Sequence, residues 1–309
     1  MSEHIQEVRF PSDGVDCAAT LHLPPDSTTP VPGLVMGNGF ANVPQMYLPE
    51  YAEAFAAAGM AVLVIDYRFL GESDGEPRQQ VLPESQCDDL RNALTWLGHR
   101  AEVDSDRLGL WGVSFAGGHV LRIASHDRRV KAVVAQVPAI GLWHYLRRSE
   151  APVREAFLAR ALADRLDYRC TGKTRSLAIT GPEGGESILG TAGYDWHRDN
   201  EQRHPSFHNA IAAHSLDAIV PYDPGAFVED ISPVPLQLIL AEHDTTTPSH
   251  VARAVFDRAG EPKELMEYAG GHYAVYDDES VKAHCIAATT TFLVRHLRQE
   301  GIQPDRLPD

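Results

Sequence analysis

Ser114 in GVSFAGG (112–118), Asp244 in AEHD (241–244) and His272 in GGHY (270–273) share one setting: each lies in a loop just after a predicted strand, the first two strands being continuous apolar runs. A serine hydroxyl is a weak nucleophile. It needs a base to take its proton and an acid to hold that base in the right tautomer. Serine, acid and histidine in this chain order, each in a loop after a strand, suit a triad on the carboxyl edge of one parallel sheet. The setting of Ser114 adds to this. The apolar run 108–111 leads into Gly112 and Ala116, two small residues on either side of the serine, and a helical pattern follows. That is the pattern of a nucleophile elbow, a sharp turn in which strand and helix approach closely. Other roles remain open for the individual residues. Asp244 can equally cap a helix beginning near Pro248, with Glu242 and Asp257 as less well placed acids, and His272 can be a surface residue of a glycine loop.

An acyl-transfer site also needs two backbone donors aimed at the developing oxyanion. The amide of Phe115, next after the serine, is one candidate. Phe40, in the GNGF loop (37–40) after the apolar run 31–36, is the other, and Gly37 and Gly39 let that loop bring its backbone close to a substrate.

The elements that must hold these loops read as follows. Runs 7–10 and 17–23 form a hairpin around Ser12-Asp13-Gly14, and a proline-rich connection spans 24–32. Strands at 31–36, 60–65, 108–111 and 130–137 alternate with helices at 47–58, 83–97 and from the elbow to about 126. After an interruption the alternation resumes, with strands at 235–241 and 264–268 and helices at 248–259 and 280–298. Continuous apolar strands alternating with helices predict an α/β fold with a mostly parallel sheet buried on both faces. Residues 139–232 break the pattern. A charged amphipathic helix at 144–166, a glycine-rich polar stretch at 171–205 and a helix at 208–219 read as an inserted lid, leaving 1–138 and 233–309 as the core. The aromatic residues of the insert, Trp143, Tyr145, Phe157, Tyr194, Trp196 and Phe207, form either the wall of an apolar acyl pocket or the core of the insert itself. Gly39, Trp143, Tyr145, Trp196 and Tyr273 are the expected substrate contacts.

Composition narrows the function. A chain of 309 residues with 43% hydrophobic and 23% charged residues can bury a large core, and a net charge of −16 opposes binding to nucleic acid or an anionic membrane. No apolar run is long enough to span a bilayer, no signal peptide is read at the N-terminus, and four widely spaced cysteines form no disulfide framework, so a cytoplasmic protein is expected. VMGNGFAN (35–42) partly mimics a dinucleotide fingerprint. Asn42 takes the third glycine position, and Pro44 and Pro49 interrupt the helix that would bind pyrophosphate. His197, His204 and His208 lie in a segment expected to be solvent-exposed, with His204-Pro205 breaking a shared helical face, so no metal site is read there.

Taken together, GVSFAGG, GNGF, IDYRFLGESDGEPR (65–78), AEHD and GGHY resemble the α/β-hydrolase superfamily. Within it the chain is most similar to dienelactone-hydrolase-like and polyketide-associated hydrolases carrying a lid after the sixth strand. The resemblance implies a sheet of about eight strands, Ser114 as nucleophile, His272 as base, Asp244 as acid, and Phe40 and Phe115 as oxyanion donors. Two residues depart from the pattern: Ala116 replaces a glycine, and Asn38 stands where a histidine is common. The expected function is a cofactor-free serine hydrolase cleaving a small-molecule ester or thioester through an acyl-enzyme. Acyl transfer to an amine or alcohol is the alternative, followed by a non-catalytic binding protein on the same fold. A lid of this kind can also serve as a homodimer interface.

Overall fold

The computed structural model describes residues 4–25 and 29–298; part of the expected 24–32 connection therefore lies outside the described residues. The first two strands, β1 (Ile5–Ser12) and β2 (Val15–His22), form the expected antiparallel hairpin around Asp13-Gly14. Six further strands complete the main sheet: β3 (Val31–Gly37), β4 (Ala61–Ile65), β5 (Val103–Val113), β6 (Val130–Gln136), β9 (Leu236–Ala241) and β10 (Lys263–Tyr268). Their spatial order is β1-β2-β4-β3-β5-β6-β9-β10, antiparallel from β1 to β4 and parallel from β4 to β10.

The apolar runs divide their side chains between two cores. In β4, Ala61, Leu63 and Ile65 join one core and Val62 and Val64 the other; in β5, Leu108 and Leu110 oppose Trp111 and Val113. This is the period of two that a strand imposes, with both faces covered. On the first face lie α2 (Pro83–Gly98), through Leu90, Ala93, Leu94 and Leu97, and α3 (Phe115–Ala124). On the second lie α1 (Leu48–Ala57), through Leu48, Tyr51 and Phe55, and α10 (Glu279–Leu293), through Cys285 and Phe292. Two further helices follow the last strands: α8 (Ser249–Arg258), joining the first core through Ala252 and Val255, comes after β9, and α9 (Ala274–Asp277) follows the His272 loop.

Between β6 and β9 the chain leaves the sheet, and here the structure differs from the expected elements. The helix expected over 144–166 is two helices, α4 (Trp143–Leu146) and α5 (Ala151–Thr171). Pro152 stands in the first turn of α5, where it lacks the N–H needed to continue a helix from upstream. Gly172, in the left-handed conformation, ends α5. The glycine-rich stretch contains β7 (Ser176–Ala178) and α6 (Tyr194–Arg203). The expected helix at 208–219 is instead β8 (Ala210–Ala212), paired antiparallel with β7, and then a tight turn and the short α7 (Leu216–Ile219). Ile211 is buried against Leu177, Ile179 and Phe207, so packing overrides the local helical preference of AIAA.

This segment is tied to the connection between β4 and α2. Ala212 N donates to Gln79 O at 2.7 Å, Val81 N donates to Ser215 Oγ at 3.0 Å, and His214 Nε2 lies 3.0 Å from Gln80 Oε1. Among the described residues, no helix is long and apolar enough to cross a membrane.

Candidate active site

At the end of β5 the chain turns into α3 without a loop, and Gly112 is what permits it. A Cβ at Gly112 would lie 2.3 Å from the carbonyl oxygen of Ala116. Ser114 occupies the turn with φ +54° and ψ −113°, a conformation that L residues rarely adopt. It is held there on both sides: its N–H donates to Gln136 O at 2.8 Å, and its carbonyl accepts from Ala139 N at 2.8 Å and Gly118 N at 3.3 Å.

The loops after β9 and β10 meet this serine. His243 N donates to Gly270 O at 2.9 Å, tying the two loops together. His272 Nε2 lies 3.0 Å from Ser114 Oγ and its Nδ1 lies 2.8 Å from Asp244 Oδ2. The carboxylate of Asp244 is almost fully buried and each oxygen has two partners. Oδ1 accepts from Thr246 N at 2.8 Å and Thr247 N at 2.6 Å, while Oδ2 also accepts from Thr247 Oγ1 at 2.9 Å. A carboxylate so engaged requires the proton on Nδ1, which leaves the Nε2 lone pair for the serine hydroxyl. Glu242 and Asp257, the alternative acids, are solvent-exposed. The α8 helix begins beyond Pro248 at Ser249, so Asp244 braces the turn before it rather than its first turn.

The loop after β3 comes within contact of the serine: a Cβ on Gly39 would lie 3.5 Å from Ser114 Cβ. Gly39 N donates to the hydroxyl of Tyr47 at 2.9 Å, and the Asn38 side chain donates to Ile65 O at 2.9 Å, fixing the loop to the end of β4. Asn38 thus anchors the loop where a histidine was the expected occupant. Ala116, the other departure, sits within the first turn of α3, where a methyl group is accommodated and fully buried. The rings of Phe40 and Phe115 meet edge to face at 5.1 Å. Their backbone amides are spent on no other acceptor in the described hydrogen-bond network. Beneath Phe115, His119 is fully buried between Tyr222 (2.8 Å) and Gln86 (3.0 Å), and burial lowers its pKa to about 3.

Of the other expected contacts, Trp196 and Tyr273 lie together with centroids 5.5 Å apart, and Tyr273 Oη donates to Ala192 O at 3.1 Å. Tyr145 is half-buried within the electrostatic reach of Asp244. Trp143 is 42% exposed on α4 and joins no aromatic cluster among the described residues. Phe207 is buried in the core that covers the first face of the sheet.

The expectation that His197 is solvent-exposed is corrected: only 3% of it is accessible. Its Nδ1 lies 2.9 Å from Gly193 O and its ring packs on Tyr273 and Phe207, and burial lowers its pKa to about 4. His204 is half-buried and His208 exposed.

Three residues without a motif complete the site. Thr247 bridges Asp244 and, at 3.1 Å, His272 Nδ1. Tyr47 holds the Gly39 amide. Tyr276, one helical turn after His272, places its hydroxyl 3.5 Å from Nε2. An aromatic residue four positions after the histidine, at the start of a helix, was the one available signal for the last.

Comparison with known proteins gives four likenesses. A family model described as X-Pro dipeptidyl-peptidase (S15 family) matches residues 13–217. Among curated proteins, the quorum-quenching protein AidA of Acinetobacter baumannii is 30% identical over 277 residues, covering 89% of this chain and 90% of that protein. The thiohydrolase aneE of Aspergillus aculeatus is 30% identical over 250 residues, 77% of each chain. Among solved structures, the alpha/beta hydrolase GrgF from a Penicillium species superposes with a TM-score of 0.80 at 28% identity, covering 96% of this chain and 99% of that one.

Proposed function

The chain belongs to the X-Pro dipeptidyl-peptidase (S15) family and is an α/β-hydrolase enzyme, and from that premise we propose that it cleaves a small-molecule carboxylic ester or thioester through an acyl-enzyme on Ser114. The observation that carries this reading is the unbroken line from Ser114 Oγ to His272 Nε2 (3.0 Å) and from His272 Nδ1 to Asp244 Oδ2 (2.8 Å). The likeness to a named thiohydrolase supports a thioester among the substrates.

Ser114 attacks the substrate carbonyl as His272 takes its proton, and Asp244 stabilises the imidazolium. The tetrahedral oxyanion is received by the amides of Phe40 and Phe115. Collapse releases the thiol or alcohol, protonated by His272, and leaves the acyl group on Ser114. Water, giving its proton to His272, then releases the acid. Each step is carried by side chains and amides of this chain and calls for no cofactor.

The segment 139–232 acts in this reading as a lid, and its Trp196, together with Tyr273 from the His272 loop, contacts the acyl group. Four free cysteines, three of them buried, support a reducing, cytoplasmic setting.

The test is labelling with a fluorophosphonate and mapping of the modified residue, alongside turnover of p-nitrophenyl esters, acyl thioesters and an Xaa-Pro anilide. Ser114 should carry the label, and esters or thioesters should turn over faster than the anilide. Labelling elsewhere, or none, overturns the site. A preference for the anilide overturns the substrate class.

A further inference from the structure

The hydroxyl of Tyr276 has no part in the three-residue chain just described, yet it touches two of its members. The short α9 begins two residues after His272, and this single turn brings residue 276 back over 272. The ring is clamped by Tyr47 at 4.4 Å and Trp196 at 5.0 Å and is 6% exposed. Its Oη lies 3.5 Å from His272 Nε2, on the side of the imidazole that faces Ser114, whose hydroxyl acts on the phenol. Burial raises the phenol well above its ordinary pKa, so this group stays neutral, with one hydrogen to donate and lone pairs to accept.

The two half-reactions use this group differently. In the free enzyme the Nε2 lone pair is engaged by the serine hydroxyl at 3.0 Å, and Tyr276 at 3.5 Å is a distant second partner. Once Ser114 is acylated, Oγ has no hydrogen and Nε2 loses that partner. A water molecule can then sit about 2.8 Å from both Nε2 and Oη, a distance suited to proton transfer. It has two hydrogens for two acceptors, which leaves its lone pair free for the acyl carbon.

Resting on the acyl-enzyme reading above, we propose that Tyr276 positions the second-step nucleophile against His272 and thereby selects nucleophiles with two hydrogens, water or a primary amine, over alcohols. In the step itself the water oxygen bonds to the acyl carbon while its first proton passes to Nε2. Its second hydrogen stays on the water oxygen and is donated to Tyr276 Oη, whose own hydrogen is donated to Ser114 Oγ. The tetrahedral intermediate then collapses: the carbon–Oγ bond breaks, Nε2 returns its proton to Oγ, and the acid leaves. An alcohol has one hydrogen, which goes to Nε2, and leaves the Oη acceptor unmet.

The experiment is pre-steady-state hydrolysis of a p-nitrophenyl ester by wild type and Tyr276→Phe, with rates per fluorophosphonate-titrated serine so that only folded sites count. The acylation burst should keep its rate within about threefold. Deacylation should slow about tenfold or more, and the ratio of methanolysis to hydrolysis should rise. Acylation and deacylation slowing together, or neither slowing, overturns the proposal and assigns Tyr276 a packing role. Tyr276→Met removes the same hydroxyl from a more adaptable side chain and serves if the phenylalanine variant does not fold. Absence of acylation in the wild type would instead overturn the acyl-enzyme reading itself.

Discussion

A Cβ on Gly193 would lie 2.0 Å from Cζ and 2.3 Å from Oη of Tyr273, so the start of α6 rests directly on the ring that follows His272. Gly193 has φ +70°, which a side chain would also strain. Gly193→Ala therefore lifts α6 off the site and takes Trp196 and His197 with it. We expect kcat/KM to fall about tenfold or more, with about 1–3 kcal/mol of stability lost to overpacking. Gly190→Ala is the control: φ is +63° there, but nothing lies within 4 Å of a new Cβ. It should cost about 1 kcal/mol of backbone strain and leave kcat/KM unchanged. Ester kinetics and urea denaturation of the two variants check both points, and equal losses of activity would show that contact with Tyr273 does not matter.

Asp244 and Thr247 act as a unit on His272, and their removal should be graded. Asp244→Asn keeps the shape but offers an amide where Nδ1–H needs an acceptor, favouring the wrong tautomer; the expected loss in kcat is about 10³–10⁴-fold. Thr247→Val removes one of the four hydrogen bonds to the carboxylate and leaves both backbone donors, so a loss of about tenfold or less is expected. Steady-state kinetics with thermal melting as the fold control decides this. A Thr247→Val loss equal to that of Asp244→Asn would mean that the threonine, and not the carboxylate charge, orients the imidazole.

The grouping of Ser114, Asp244 and His272 was legible in the sequence because each follows a strand, and the carboxyl ends of parallel strands share one edge of the sheet. The two-faced sheet was legible because runs such as AVLVI cannot be half-exposed. Thr247, Tyr47 and Tyr276 were not legible. Their positions depend on how α1, the 244–247 turn and α9 pack against one another, and local spacing bears on Tyr276 alone, four residues after His272. His197 was misread because YDWHRDNEQR is polar almost throughout, and its burial comes from Tyr273, far along the chain. The helices in 139–232 were misplaced where Pro152 and a strand pairing by Ala210–Ala212 overrode periodicity.

Asp66, at the end of β4, gives the protein an unusual pH response. It is 2% exposed, one carboxyl oxygen accepts from Glu72 N at 3.1 Å and the other has no partner among the described residues. Burial raises its pKa to about 7. An acid whose folded pKa is raised holds its proton longer in the folded state than in the unfolded chain. Its contribution to stability is therefore full below about pH 4 and is lost as pH rises through about 7. The loss amounts to a few kcal/mol at most, since each tenfold difference in acidity between folded and unfolded chain is worth about 1.4 kcal/mol. Asp66→Asn carries no charge at any pH, so the wild type should lose stability relative to it between about pH 4 and 7. A difference in unfolding free energy that stays constant over that range would show that Asp66 ionises normally.

The elbow itself stores strain, and the strain can be measured by removing it. Ser114 is held at φ +54°, ψ −113° by hydrogen bonds with Gln136, Ala139 and Gly118, not by any preference of its own. Such a conformation costs a non-glycine residue about 1–3 kcal/mol. Glycine adopts it freely, at an entropic cost on folding of about 0.5–1 kcal/mol. Ser114→Ala and Ser114→Gly both delete the hydroxyl and should both lower turnover by about 10³-fold or more. They differ only in the backbone: alanine keeps the strain and glycine releases it. The glycine variant should therefore be the more stable of the pair by about 1 kcal/mol, read as a higher urea midpoint at unchanged slope. An alanine variant as stable as the glycine one would mean that the turn is relaxed and that the surrounding hydrogen bonds hold nothing back.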